Sequence, residues 1–269
     1  MPALPVFQFD AFADRLFQGN QAAVTPLDGW LEDAALQAIA AENNFAETAF
    51  IVPTETADRW KLRWFTPETE VPLCGHATLA SGAAVLTELA PALDRVTFET
   101  RSGDLVVARD GARFTLDLPA REGAMTPPPD GLSDALGHRV SALRLGEYGL
   151  VEIGSEAAVR GLSIADGVAA ARLVPGDRPG CLIVTAKADT EGLDFVSRFF
   201  APGVGLEEDA ATGSSFCDLG PYWADRLGKT EMEAFQASRR GAPVGVRVMG
   251  DRVILSGGAV LYLKGEIQV

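Results

Sequence analysis

Histidine and cysteine are scarce in this chain of 269 residues, which carries two of the first and three of the second. Two histidines, His76 and His138, cannot build a histidine-rich metal centre. Cys74, Cys181 and Cys217 are too few and too scattered for a disulfide framework, and no pair has metal-ligand spacing, so a reducing cytoplasm is the expected location. Positive charge is also short: 23 Lys and Arg stand against 37 Asp and Glu, a formal net charge of −14. Nucleic acid and anionic membranes attract basic surfaces, so neither is expected as a partner. No apolar run approaches the length of a membrane helix, and Met1-Pro2-Ala3-Leu4-Pro5 lacks the basic and apolar regions of a signal peptide. Glycine is plentiful, yet no strand leads into a dinucleotide fingerprint or a Walker-type loop, which argues against NAD and ATP. The expectation is a protein without cofactor or metal.

What is present is an ordinary globular composition, 47% hydrophobic and 22% charged, long enough for one large domain or two of moderate size. The stretch Glu207-Glu208-Asp209-Ala210-Ala211-Thr212-Gly213-Ser214-Ser215 brings acidic residues to a small-residue turn. Phe216, Leu219, Trp223 and Leu227 then follow at helical spacing, so the turn predicts a helix start with free N–H groups at Thr212 to Ser214. Such a start suits an anion or a negative charge that develops during a reaction, although a Ser/Thr-capped helix explains the same residues by stability alone.

A second copy of this layout lies earlier. Phe65-Thr66-Pro67 leads to Cys74-Gly75-His76, and Phe200-Ala201-Pro202 leads to Asp209, with seven residues from proline to Cys74 (74−67) and from proline to Asp209 (209−202). The run Ala77 to Ala90 reads as a helix buried nearly all round. Two half-molecules, each with a central helix, fit this pattern, and helix starts that face each other would place Cys74 and Asp209 at one pocket.

The rest of the chain alternates short strands and turns. Val6 to Asp10 reads as a first strand, and Gly19-Asn20 as a tight turn, where turn chemistry explains Asn20 better than ligand binding does. Leu31 to Ala40, capped from Asp28, reads as an amphipathic helix. Phe45 to Val52 reads as a strand that carries Glu47 among apolar neighbours. Burial there would favour its neutral form, while a solvent-facing acid is the simpler local reading. Trp60–Phe65, Arg95–Thr100, Asp104–Ala108 and Arg113–Leu118 read as strands, and Arg121 to Gly131 as a linker. Beyond it, Leu132 to Leu136 is a helical turn; Leu143–Leu145, Leu150–Ile153, Cys181–Thr185, Phe195–Phe200, Val244–Met249, Val253–Ser256 and Val260–Val269 read as β. The domains are expected at 1–120 and 130–269, with a chain end that could cross back to the first half.

Gly19-Asn20, the run Asn44-Phe45-Ala46-Glu47-Thr48-Ala49-Phe50, Phe65-Thr66-Pro67, Cys74-Gly75-His76-Ala77-Thr78, Phe200-Ala201-Pro202, and Glu208-Asp209 with Thr212-Gly213-Ser214 together resemble the PhzF-like isomerases of phenazine biosynthesis. The resemblance spans the chain. It implies an α+β protein of the diaminopimelate-epimerase fold: two pseudo-symmetric halves, each a curved, mostly antiparallel sheet or barrel around a central helix, with the active site in the cleft between them. It also implies Glu47 as the proton shuttle, assisted by His76, Asp209 and Ser214; Asn20, through its amide, and Gly75 and Gly213, through backbone N–H groups at the helix starts, are the further candidate substrate contacts beside Ser214. The substrate class is a small carboxylic acid, and a homodimer is a family expectation only. Such residues support proton transfer beside a carboxylate, with backbone N–H groups stabilising the charge that develops.

The chain departs from the family pattern at Gln21 and Ala210, where proline is usual, and at Ala46, where serine often precedes the acid. A substrate other than the phenazine precursor is the consequence. Two alternatives stay open: a racemase or epimerase that uses Cys74 and Asp209 on opposite faces, and a binding protein that keeps the fold without chemistry.

Overall fold

The computed structural model describes residues 3–269; Met1 and Pro2, part of the N-terminal stretch read above, lie outside the described residues. The chain divides into two compact units, one running to Asp117 and including Ser256–Val269, the other Leu118–Leu255. The second unit starts earlier than the expected 130, and the last strand is grouped with the first unit, the return of the chain end left open above.

In the first unit, β1 (Ala3–Ala11), β2 (Asn20–Pro26), β3 (Glu47–Pro53), β4 (Arg59–Phe65), β6 (Arg95–Thr100), β7 (Gly103–Asp110) and β8 (Arg113–Pro119) are joined by β18 (Ala259–Gln268), with the short β5 (Glu70–Val71) on β4. Neighbours pair antiparallel except β2 with β3 and β4 with β6, giving the order β18-β1-β2-β3-β4-β6-β7-β8. Helix α1 (Asp33–Asn43) makes the β2-to-β3 crossover and buries Leu36, Ile39 and Ala40 against Phe50 and Phe65. Its N-cap is Glu32, not Asp28.

Helix α2 (Gly75–Ala84) is buried along its whole length and touches β1, β2 and β3 as well as β7, far across the sheet order, so the sheet curves around it. Small residues permit this approach: a Cβ on Gly82 would stand 2.3 Å from Val107 Cγ1. The run predicted to Ala90 as α-helix instead widens into a π-helical turn over Val85–Leu89.

The second unit repeats the order. β10 (Val140–Leu145), β11 (Gly149–Ile153), β12 (Leu182–Lys187), β13 (Phe195–Ala201), β15 (Glu231–Gln236) and β16 (Ala242–Met249) follow one another, again with two parallel pairs separated by one antiparallel pair, β11 with β12 and β13 with β15. The short β14 (Leu206–Asp209) lies on β13 as β5 lies on β4, and β17 (Arg252–Gly257) leads back to the first unit. The expected linker is no plain spacer, because Ala124–Met125 form β9 on β10. After the short helix α3 (Leu132–Leu136), α4 (Glu156–Gly161) and α5 (Ile164–Leu173) fill the β11-to-β12 crossover that α1 fills in the first unit.

The central helix here is α6 (Phe216–Leu227), preceded by a 3-10 turn over Gly213–Ser215. Trp223 stacks on Phe195 with ring centroids 5.5 Å apart and donates its indole N–H to Thr185 Oγ1 at 3.0 Å, so its bulk is buried without an orphaned polar group. Pro221 inside this helix has no N–H for the carbonyl of Cys217, four residues earlier. The backbone N–H of Arg121 takes that place at 2.9 Å. Among the described residues no helix is long and apolar enough to cross a membrane.

Candidate functional site

The first cluster of predicted residues assembles where β2, β3 and α2 begin. Because β2 and β3 run parallel with Ala22 opposite Glu47, Asn20 and Glu47 both lie at the strand ends beside the start of α2. Asn20 is not a turn residue: it opens β2, is buried, and places its Nδ2 3.3 Å from His76 Nδ1. The turn before it needs Gly19, whose φ is +65° and where a Cβ would meet the Ala11 carbonyl at 2.0 Å.

His76 is buried, and its two ring nitrogens face different groups. Nε2 lies 3.1 Å from Glu47 Oε2, and Nδ1 lies 3.5 Å from Cys74 Sγ. The Glu47 contact is an ion-pair distance without hydrogen-bond alignment: neither Nε2 nor Oε2 has a protein hydrogen-bond partner among the described residues. Glu47 thus sits against the imidazole with an oxygen not committed to a linear bond, and at 18% side-chain exposure it is neither solvated nor sealed. The simple surface-acid reading of Glu47 does not describe this position.

Burial is the largest influence on His76 and opposes its charge; Cys74 and Glu47 outweigh it and raise the imidazole well above its ordinary value. Burial pushes the Cys74 thiol up to about 11, with Glu47 pushing the same way. At neutral pH the thiol is therefore protonated, and the charge that favours the imidazolium is that of Glu47. Asn20 suits either state of the ring, since its amide carries both a donor and an acceptor. A neutral, buried thiol is a poor carbon base, which counts against the two-face reading through Cys74.

Glu47, Cys74 and His76 each offer one ligand atom within 4.8 Å of the others, the nearest approach to a metal-ligating group among the described residues. The thiol and the carboxylate face different nitrogens of one ring, however, and a tetrahedral ion engages only one ring nitrogen. The donor set fits a chain of proton-exchanging groups better than a metal.

At the start of α2, Thr78 N–H bonds to the Cys74 carbonyl, and the N–H groups of Gly75 and His76 have no intrahelical acceptor. No acidic residue in that first turn competes for them.

The second cluster stands before α6. Asp209 ends β14 and accepts the Thr212 hydroxyl at 2.6 Å. Thr212 N–H, expected to be free, donates to Gln236 Oε1 at 2.8 Å, and Gln236 Nε2 donates to the Asp209 carbonyl at 2.9 Å. Gln236 comes from β15, so this loss of a free donor rests on a contact 24 residues away. Ser215 and Phe216 N–H bond back to Thr212, Gly213 and Ser214 carbonyls, which leaves Gly213 and Ser214 N–H without an acceptor in the turn.

Sequence reasoning missed two residues here. Tyr148 OH lies 3.0 Å from Ser214 Oγ, and the Arg121 guanidinium bonds to the Ser214 carbonyl while lying 5.0 Å over the Tyr148 ring. The Gly146-Glu147-Tyr148-Gly149 turn and the lone arginine of the supposed linker carried no periodic signal; the missing N–H of Pro221 was the only hint that something must come to α6 there.

The comparisons with known proteins bear on the family and the fold. Residues 9–122 and 147–265 match the family described as Phenazine biosynthesis-like protein. An uncharacterized isomerase of Pseudomonas aeruginosa is 45% identical over 267 residues, 99% of each chain. The crystal structure of a PhzF-family phenazine biosynthesis protein from Enterococcus faecalis superposes with a TM-score of 0.93 at 37% identity, covering 100% of both chains. A hydroxyproline epimerase from Agrobacterium vitis, TM-score 0.61 at 14% identity and covering 98% of this chain and 92% of its own, shares the fold alone. With a family match over most of its length and relatives this similar from end to end, the chain belongs to the phenazine biosynthesis-like, PhzC–PhzF family.

Proposed function

We propose that the protein is a cofactor-independent isomerase that moves a proton on a small carboxylic acid, with Glu47 as the group that takes the proton from one carbon and returns it to another. The observation that carries this reading is the Glu47–His76 pair: a half-buried carboxylate 3.1 Å from a buried imidazole, with neither facing atom committed to an aligned hydrogen bond. A base needs a lone pair free to point at carbon, and a nearby group to hold the charge state it starts from. His76 meets the second need, and Asn20 fixes the ring. The relatives named isomerases support the reaction class.

In this reading the Gly75 and His76 N–H groups at the start of α2 receive a carboxylate or enolate oxygen, as preorganised donors do. Within the second unit, the Gly213 and Ser214 N–H groups before α6 are candidate anion donors of the same kind, with Asp209, held by Thr212, the ionisable group beside them. Action in the cytoplasm and a homodimeric state are further parts of the proposal, the second tested by light scattering on the purified chain.

A panel of small unsaturated carboxylates, followed by proton NMR for an isomerised product, tests the function. A product formed by the wild type and lost by about two to four orders of magnitude in Glu47→Gln supports it, since general acid–base catalysis contributes about that much. Binding of carboxylates such as acetate or fumarate that perturbs no amide at Gly75, His76, Gly213 or Ser214 contradicts the donor assignment.

A further inference from the structure

Beside Ser214 lies a partly buried network that the proposed chemistry does not use. Arg121 follows β8, and its backbone is fixed by the N–H it gives to Cys217, the carbonyl that Pro221 leaves without a helical donor. From that anchor its guanidinium reaches four groups: the Ser214 carbonyl, Glu147, Asp218 at 3.3 Å, and the face of Tyr148 at 5.0 Å. Tyr148 in turn touches the Ser214 side chain. One planar cation thereby controls Ser214 twice, directly at its carbonyl and through Tyr148 at its hydroxyl. Lysine cannot do this, because a point charge neither spans several acceptors nor stacks on a ring.

We propose that Arg121 is a positioning residue for Ser214, and that the charge on Asp218 sets how firmly it holds the turn that opens α6. This rests on the reading of Ser214 as a substrate contact. The groups facing Asp218 are Arg121 from the segment after β8, its helix neighbour Cys217, whose thiol burial pushes to about 11, and the Gly146 backbone, 3.6 Å from Asp218 Oδ1 to a Cβ placed there. Glu147 and Tyr148 reach it through Arg121, and Arg178 pairs with Glu147 at 3.2 Å. Burial raises Asp218 to about 6 against the pull of Arg121. Neither Asp218 Oδ2 nor Arg121 Nε has an aligned hydrogen bond, so the pair is held by charge rather than by a directional bond. When Asp218 takes a proton the attraction disappears, Arg121 turns toward Glu147, and its grip on Ser214 loosens. The turn is tight above that point and slack below it.

The test uses the full-length, isotope-labelled protein without any substrate. Amide shifts of Ser214 and Ser215, followed from roughly pH 4.5 to 8, are expected to titrate with a midpoint near that of Asp218, and Asp218→Asn is expected to flatten the curve. Arg121→Lys is expected to lower hydrogen-exchange protection at Ser215 and Phe216 about tenfold while β12 and β13 keep theirs. Tyr148→Phe, which removes only the hydroxyl, is expected to keep the titration. Flat shifts in the wild type, a transition that persists in Asp218→Asn, or loss of protection throughout the unit in Arg121→Lys each overturn the proposal. If Arg121→Lys does not fold, the wild type and Asp218→Asn decide. Should this titration hold while saturating acetate leaves the Gly213 and Ser214 amides of the wild type unperturbed, the positioning role stands and the substrate-contact reading falls, so the two fail separately.

Discussion

The approach of α2 to β7 at Gly82 makes a measurable demand on sequence. A methyl group at Gly82 would meet Val107 Cγ1 at 2.3 Å, Cβ at 2.5 Å and Cγ2 at 2.9 Å. Rotating Val107 clears the two γ carbons but not its Cβ, which is fixed to the backbone, so α2 or β7 must move. Overpacking of a closed core costs about 1–3 kcal/mol, and a clash that no rotamer relieves belongs at the upper end. Alanine in place of helical glycine returns about 1 kcal/mol. The net expectation for Gly82→Ala is a loss of about 2 kcal/mol, or a midpoint lower by about 4–8 °C. Gly220 occupies the matching place in α6, seven residues past Gly213 as Gly82 is past Gly75, and its added Cβ would meet Val253 at 3.2 Å and Val248 at 3.3 Å. Those contacts yield by tenths of an ångström, so Gly220→Ala is expected within about 1 kcal/mol of wild type. Urea denaturation followed by circular dichroism compares the two. Equal stabilities for Gly82→Ala and wild type would refute the packing argument, and an equal loss in both variants would refute the distinction drawn between the helices.

Other expectations follow from buried charges. Arg198 is buried, pairs with Glu208 at 2.6 Å and reaches the Leu162 carbonyl. Arg198→Leu strands the Glu208 carboxylate, and thermal melts should show a loss of about 3–5 kcal/mol. Glu156 accepts from Thr190 N–H and hydroxyl, from Asp189 N–H and from Arg160; burial works to raise it, and these bonds together hold it down at about 2. A depressed carboxyl stabilises the fold fully above its unfolded value, and that stability is lost as pH falls from about 4.5 toward 2. Glu156→Gln should cost on the order of 1–3 kcal/mol at pH 7, and urea titrations should show the gap to wild type closing through that window. Asp218 has the opposite sign, because a raised carboxyl makes the fold less stable as pH rises from about 3.8 through about 6. Denaturation of Asp218→Asn should lack that decline.

Much of this architecture could be read from residues alone because it repeats. The seven-residue interval after Pro67 follows β4, holds β5 and leads directly into α2; the one after Pro202 follows β13 and holds β14, with α6 opening only at Phe216. Strands stood out where apolar residues alternate between Gly and Asp turns. Helices α4 and α5 did not, because 155–173 is rich in small residues with a weak period. Their signals were the caps: Ser155 Oγ accepts Ala158 N–H, and Ser163 Oγ accepts Asp166 N–H. In the candidate site, Glu47, His76 and Asn20 stood out through the family resemblance, where local pattern alone favoured a solvent-facing acid and a turn residue, and the structure brings them together. Thr212 was misjudged and Arg121 and Tyr148 were missed because their partners are 24, 93 and 66 residues away. No local pattern encodes a bond of that range.

Glu47 is the group proposed to handle the proton. Once a carboxylate substrate is in hand, the direct measurement is the rate at which deuterium from solvent enters its carbon-bound position in the presence of Glu47→Gln, which keeps the shape of the side chain and removes its titration. Incorporation slowed by at least about a hundredfold, with the fold and carboxylate binding intact, is the predicted result. Incorporation at the wild-type rate would contradict it and assign the proton to another residue.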